Sequence, residues 1–309
     1  MNTLMRKCGL WGALLAVLTL LLPTAAFADA VVGDSVVTLG ADLSNEQRQQ
    51  LLDEMDVDAE SVQVLEVTNE EEHQYLGDYV SKATIGSRAI SSAKITLTEE
   101  GSGINVDTKN ITHISNSIYA NAMVTAGVKD ADVYVTAPFE VSGTAGLTGI
   151  LKAFEAAMGE EISEEQKQVA NEEMVKTSEL GEKYGDEEIA ELMMRLKEQL
   201  AENKPESKEE MRQLVINVAG DLNINLNDSD IDLITDLLMR ISDLNIDWNQ
   251  LGNQVDQIRN NLDEILDSPE TRNFIERGLD FLRAIIDWFA GLLGGFKKIH
   301  PKTQKTDET

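Results

Sequence analysis

A short segment of small residues carries the clearest ligand-binding chemistry in the sequence. It follows a predicted strand, opens a predicted helix and consists of Ser142, Gly143, Thr144, Ala145 and Gly146. A helix N-terminus presents free backbone N–H groups and the positive end of the helix dipole, and both attract an anion. The glycine spacing matches neither G-x-G-x-x-G nor G-x-x-x-x-G-K-[ST], so no nucleotide-binding fingerprint is present. Two interpretations stay open: the segment binds an anion, or its small residues let a helix pack closely on a sheet.

Carboxylates are abundant, but they do not form a recognisable catalytic pattern. Acidic runs occur at residues 70–72, 160–161, 164–165 and 186–188. We interpret most of them as solvated helix faces and N-terminal helical turns, with weak binding of divalent cations as the alternative. Hydrolysis of a sugar polymer needs two carboxyls at a defined separation, and the sequence does not single out such a pair.

Other catalytic and metal-binding motifs are incomplete or absent in the sequence. The segment from Asp221 to Asp232 has the acidic opening of a calcium loop, but Leu226 stands where a glycine is needed. His73 and His113, the two histidines before the C-terminal tail, belong to no H-E-x-x-H motif, and no G-x-S-x-G motif occurs. The sequence therefore assigns no catalytic residue, no metal site and no cofactor, and we favour a non-enzymatic protein.

The composition excludes several classes of protein. The chain has 309 residues, with 26 Lys and Arg against 55 Asp and Glu, and a formal net charge of −29. Such an acid excess repels phosphate backbones, so nucleic acid is not an expected partner. The hydrophobic content of 42% is enough for a packed core. A single cysteine, Cys8, excludes a disulfide framework within one chain.

The N-terminus has the three-part layout of a secretory signal peptide. Arg6 and Lys7 precede an apolar run at residues 9–22, and Ala26-Phe27-Ala28 supplies small residues at a cleavage site. We expect residues 1–28 to be removed and the mature protein to begin at Asp29. The sequence thus predicts a secreted protein, extracellular or associated with the cell wall.

Residues 29–202 are predicted to form a mixed α/β domain, with a helical extension from about residue 143. Segments rich in Val, Ile, Thr and Tyr predict strands at 31–39, 61–67, 89–97, 104–108 and 132–137. Between them we expect helices after the Ser44–Gln47 capping box, at 70–80 and at 116–126. Residues 99–103, rich in glycine and acids, predict a hairpin loop. Three further helices are predicted at 144–158, 163–183 and 186–201.

Asn203-Lys204-Pro205 interrupts this helical pattern, so we expect a separate helical hairpin or bundle unit at 203–298 and a polar tail at 299–309. An apolar repeat in steps of three and four runs from Ile234 to Ile265. It predicts either one long dimerising helix or, as we favour, two antiparallel helices that turn before Asp247, which could cap the second.

A last helix is predicted at residues 274–296, with charges on one face and a wide apolar remainder. This face either packs on the preceding helices or contacts a membrane interface or a protein partner. The predicted fold class is therefore α+β, or α/β, in the N-terminal domain, followed by an all-α C-terminal unit.

One stretch resembles a known family. Residues 133–150 read VYVTAPFEVSGTAGLTGI and resemble the signature of the YpuA-like family, secreted proteins of unknown function from Gram-positive Firmicutes. Residues 40–44, GADLS, and the helix at Asp247-Trp248 fit the same pattern. The resemblance implies an exported protein of a spore-forming or related bacterium. It implies no activity, because the family has no established functional residues.

Together these features predict a non-enzymatic binding or structural protein of the cell envelope or extracellular space. The alternative is a hydrolase of an envelope or extracellular polymer that uses carboxylates not identifiable from the sequence.

Overall fold

The computed structural model of the protein describes residues 31–77, 79 and 85–267. The predicted signal peptide, the helix expected at 274–296 and the tail at 299–309 lie outside these residues. Within them the chain forms five strands and nine helices. The strands are β1 (Ser35–Gly40), β2 (Gln63–Val67), β3 (Ser92–Leu97), β4 (Ile104–Ile111) and β5 (Ala131–Val141). The helices are α1 (Asn45–Glu54), α2 (Asn69–Leu76), α3 (Asn116–Thr125), α4 (Thr144–Met158), α5 (Glu164–Tyr184), α6 (Asp186–Glu202), α7 (Lys208–Asp221), α8 (Asp228–Asp243) and α9 (Trp248–Asp267).

The five strands form one mixed sheet in the order β2-β1-β3-β5-β4. β1 runs parallel to β2 and antiparallel to β3. Strand β5 lies between β3 and β4, so the hairpin predicted at residues 99–103 is wrong. The two strands that it was expected to join are not neighbours. The prediction of a strand-containing N-terminal part followed by helices is confirmed, since every element from α4 to α9 is helical.

Local sequence signals placed several helix ends correctly. Ser44 caps α1, because its Oγ accepts the N–H of Gln47 at 3.2 Å and the Gln47 Oε1 accepts the N–H of Ser44 at 2.9 Å. Asn227, just before α8, accepts the N–H of Asp230 at 2.9 Å. The segment that resembles a calcium loop is therefore a helix end, a short connection and a capped helix start.

The two faces of β1 contact different helices. Val37 and Leu39 pack with Leu51 and Leu52 of α1, in line with the alternation of side chains along a strand. Thr38 faces α4, where a Cβ on Gly149 would lie 2.7 Å from the Thr38 Oγ1. Only glycine fits at that point without a shift. Close packing of a small residue on the sheet thus holds at Gly149, three residues after the small-residue segment.

The chain divides into two compact units. The described residues up to 98, with 108–113 and 133–168, form the first unit. Residues 99–107 and 114–132, with the described residues from 169 onward, form the second. The second unit therefore begins earlier in the chain than the helical unit expected from residue 203.

The core of the second unit joins α6, α7 and α8 through buried aliphatic side chains, among them Leu196, Val215 and Leu237. The apolar repeat that begins at Ile234 is interrupted between α8 and α9, which contradicts a single long helix. Asp247 caps α9 by accepting the N–H groups of Asn249 at 3.0 Å and Gln250 at 3.1 Å. α8 packs on α7, whereas α9 packs on α6, so these helices belong to a bundle and do not form a self-contained hairpin. No described helix combines the length and apolar character needed to cross a membrane.

Candidate functional site

The predicted anion-binding segment forms the start of α4. Gly143 precedes the helix with φ +94°, a left-handed conformation that favours glycine, and no side chain caps this N-terminus. The N–H of Gly146 turns back to the carbonyl of Gly143 at 2.9 Å. The N–H groups of Thr144 and Ala145 lie in the first helical turn, where the helix itself supplies no acceptor. An uncapped first turn of a fifteen-residue helix is a suitable donor surface for an anion.

A cavity of about 260 Å³ in the first unit opens on this helix start. Of the five predicted residues, Ser142, Thr144 and Ala145 line it, whereas Gly143 and Gly146 do not. We call it the α4 cavity. The segment before β3 and the helix α2 complete its wall, and the apolar side chains among the lining residues are Ile85, Ile90, Phe139 and Val141.

Four hydroxyl-bearing side chains provide polar lining: Ser87, Ser91, Ser142 and Thr144. The Oγ of Ser142 lies 3.3 Å from the Oγ1 of Thr144. Ser91 also lines the cavity and is only 5% exposed. A hydroxyl in the wall of a cavity can donate a hydrogen bond to a molecule bound there or accept one from it.

The α4 cavity also contains one group of each charge sign. Arg88 lines it and is exposed, and no carboxylate of the described residues forms an ion pair with it. Glu72 of α2 is only 2% exposed and accepts a hydrogen bond from the Nδ2 of Asn69 at 2.9 Å. Burial raises the pKa of Glu72 to about 7, and the nearby charge of Asp42 acts in the same direction. At neutral pH this carboxyl is therefore protonated in a large fraction of molecules.

This result corrects the interpretation of residues 70–72 as a solvated face. Glu70 is exposed, but Glu72 is buried four residues before the buried Leu76, on the same side of α2. The spacing between Glu72 and Leu76 was visible in the sequence and could have identified the carboxyl. No comparable signal exists for Arg88 or Ser91, because they lie in an irregular segment without a motif.

A second concave surface, of about 890 Å³, runs along the end of α4 and the start of α5. There the Lys167 Nζ lies 2.8 Å from the Glu155 Oε1 and 3.2 Å from the Glu164 Oε1. Four glutamates line this surface, and Lys167 pairs with two of them. These contacts do not single out the two carboxyls at a defined separation that the hydrolase alternative needs.

The second unit holds a fully buried ion pair. The Lys197 Nζ lies 2.5 Å from the Glu173 Oε1, and both side chains are 0% exposed. The Thr125 hydroxyl donates to the Glu173 Oε2 at 2.5 Å, and Lys197 donates to the Asn121 carbonyl at 2.7 Å. Burial raises the pKa of Glu173 and lowers the pKa of Lys197, whereas their mutual attraction opposes both shifts. These contacts connect α3, α5 and α6 and are best explained as structural.

No three His, Cys, Asp or Glu side chains in the described ranges are grouped so that they could hold a metal ion. His73 and His113 therefore remain without an assigned role. The prediction of weak divalent-cation binding stays a prediction.

Comparisons with known proteins identify a family. The family model described as "Protein of unknown function (DUF1002)" matches residues 39–258. The uncharacterized protein YpuA of Bacillus subtilis (strain 168) is 50% identical over 271 residues, covering 87% of this chain and 93% of the relative. No solved structure was found to match the chain.

Proposed function

Because the chain belongs to the DUF1002 family, which carries no described activity, we propose a function from the chain's own residues. The protein is an exported, non-enzymatic binding protein of the cell envelope or extracellular space. It holds a small anion in the α4 cavity.

One observation carries this proposal: an uncapped helix N-terminus and an arginine without an ion-pair partner among the described residues line the same cavity. The α4 N-terminus supplies donors at Thr144 and Ala145, and Ser91 adds a hydroxyl to the lining. Arg88 adds a positive charge without an ion-pair partner among the described residues. Backbone N–H groups and a guanidinium both form their strongest hydrogen bonds with anions.

The same lining argues against an enzyme at this cavity. A nucleophile needs an adjacent base, and among the described lining residues the one candidate base, Glu72, has its described hydrogen bond with Asn69 and not with a hydroxyl. On the α4–α5 surface, Lys167 pairs with Glu155 and Glu164, and these contacts do not single out a pair of carboxyls for the hydrolase alternative.

Export is supported by the basic start, the apolar run and the small residues before Asp29. N-terminal sequencing of protein recovered from the culture medium or the cell wall should give Asp29 as the first residue. Recovery of an intact Met1 in a membrane fraction would contradict this part of the proposal.

Anion binding is tested by titrating ¹⁵N-labelled protein with acetate and, separately, with sulfate. We expect saturable shifts of the Thr144 and Ala145 N–H signals. Arg88→Gln should weaken binding about fivefold to tenfold, since a charge-assisted hydrogen bond contributes roughly 1–1.4 kcal/mol or more. Arg195→Gln removes the same charge from a partly exposed position on α6, outside the lining of the cavity, and should leave binding unchanged. Equal effects of the two variants would show that Arg88 acts only through the net charge of the protein and does not contact the anion.

A further inference from the structure

The α4 cavity contains an acidic side chain that, if ionised, would repel the anion assigned to it. Resting on the proposed function, we propose that Glu72 keeps its proton when the ligand binds and donates a hydrogen bond to it, and that the ligand is a small organic carboxylate. Affinity then falls as the pH rises.

The surroundings of Glu72 favour the neutral carboxyl. The side chain is 2% exposed, and its Oε2 accepts the amide of Asn69 at 2.9 Å. The Oε1 has no hydrogen-bond partner, and the carboxyl has no cationic partner, within residues 31–77, 79 and 85–267. A buried carboxylate without a cation is costly. A proton on Oε1 is therefore favoured and is free to bind an acceptor in the cavity.

Among the charged groups around Glu72, Asp42 acts in the same direction and Arg88 opposes it. On its own helix, Glu71 is paired at 2.5 Å with Lys152, which reaches it from α4, so this cation is already neutralised. Asp42, in the loop after β1, accepts the N–H of Ala89 at 2.8 Å, and its charge disfavours ionisation of Glu72. Arg88, in the segment before β3, opposes this effect, but it lines the cavity without forming an ion pair to Glu72.

Two histidines lie beside residues that line this site. His73 follows Glu72 on α2. His113 donates its backbone N–H to the carbonyl of Ser142 at 3.3 Å. A histidine that gains charge at low pH would also favour an anion, so both must be controlled for.

A carboxylate fits this arrangement of donors. One of its oxygens can accept the N–H groups of Thr144 and Ala145, while the other accepts the proton of Glu72. A protonated carboxyl bonds most strongly to a basic, charged acceptor, and a carboxylate is more basic than a sulfonate. The volume of about 260 Å³ limits the ligand to a small molecule, and the apolar side chains in the wall suit an organic body.

The pH dependence follows from the fraction of protonated Glu72. If only the neutral form binds, the apparent Kd rises as that fraction falls. With a pKa of about 7 in the free protein, binding at pH 8.5 should be about 30-fold weaker than at pH 6. Acetate and methanesulfonate are both ionised over this range, so a change of Kd with pH must come from a titrating group of the protein.

The experiment measures the Kd of acetate from the ¹⁵N shifts of Thr144 and Ala145 at pH 6 and pH 8.5. In the wild type we expect the 30-fold loss and tighter binding of acetate than of methanesulfonate. Glu72→Gln carries a permanent N–H donor, so it should keep the affinity at pH 6, lose the pH dependence and reduce the preference for acetate. His73→Gln and His113→Gln should retain all three wild-type properties.

Failure of this inference is distinct from failure of the proposed function. No saturable shift with acetate, methanesulfonate or sulfate at either pH would overturn the proposed function itself. Saturable binding that stays pH-dependent in Glu72→Gln, or that follows a histidine variant, would overturn only the role of Glu72. Tighter binding of methanesulfonate would overturn the assignment of a carboxylate.

A measurement on the wild-type protein tests the role of Glu72 without the Glu72→Gln variant. The ¹³C signal of the Glu72 carboxyl reports its titration directly, and linkage requires its midpoint to move to higher pH in saturating acetate. An unchanged midpoint in the presence of bound acetate would overturn the inference.

Discussion

Replacing Glu72 with glutamine should stabilise the protein at alkaline pH and leave its stability unchanged in acid. The buried carboxyl has a pKa raised by burial from 4.5 to about 7. The folded protein therefore binds this proton more tightly than the unfolded chain does. The contribution of Glu72 to stability is fully present below about pH 4.5 and is lost as the pH rises through 7, because ionisation then opposes folding. A glutamine of nearly the same shape avoids this cost.

The size of the effect follows from the pKa difference. A difference of about 2.5 units corresponds to about 3 kcal/mol at 1.36 kcal/mol per unit, fully developed above pH 8. We expect Glu72→Gln to raise the free energy of unfolding by up to this amount at pH 8.5. At pH 4.5 the difference should be a few tenths of a kcal/mol, because the wild-type carboxyl is then protonated in the folded state.

Urea denaturation followed by circular dichroism at the two pH values measures this difference. Glu70→Gln is the matched control, since Glu70 lies on the same helix and is exposed. It should change stability by no more than about 0.5 kcal/mol at either pH. The reasoning is refuted if Glu72→Gln is no more stable than the wild type at pH 8.5. A gain of equal size at pH 4.5 would also refute it, because that gain could not come from ionisation.

Three further substitutions, each within one of the two units, test internal contacts by urea or thermal denaturation. Lys197→Met should cost about 3–5 kcal/mol, because it leaves Glu173 buried and unpaired, and adding Glu173→Gln should recover most of the loss. An additive double variant would argue against a coupled pair. Gly149→Ala should lower the Tm by several degrees, since its Cβ would lie 2.7 Å from the Thr38 Oγ1, and Thr38→Ala should restore part of it. An unchanged Tm would show that β1 and α4 separate easily. Asp247→Ala should cost about 1 kcal/mol through loss of the α9 cap, and a neutral result would mean that water replaces the cap.

The sequence predicted the helix start that forms part of the candidate site, but it did not predict the cavity around that helix start. The small residues 142–146 predicted a helix start able to attract an anion, and α4 begins at Thr144. Arg88 and Ser91 could not be assigned, because only the packing of their segment brings them beside that helix. The burial of Glu72 was hinted at by its spacing from Leu76. The change in its pKa was not, since it depends on the chain segments that cover the carboxyl.

The sequence by itself determined the local elements. Capping residues such as Ser44, Asn227 and Asp247 accept N–H groups two or three positions away. The helix starts that they cap can therefore be predicted from residues that are close in the sequence. Enrichment in Val, Ile, Thr and Tyr likewise marked all five strands, with differences only at their ends. Membership of the family was also visible, in residues 133–150.

The tertiary structure decided the arrangement of these elements. A strand carries no local mark of its neighbour, so nothing in residues 99–103 shows that β5 separates β3 from β4. The same limit applies to the repeat from Ile234 onward, whose apolar stripe specifies that a face is buried but not against which helix. Contacts between residues far apart in sequence settle these choices, because the free energy of burying a face depends on every element that competes to cover it.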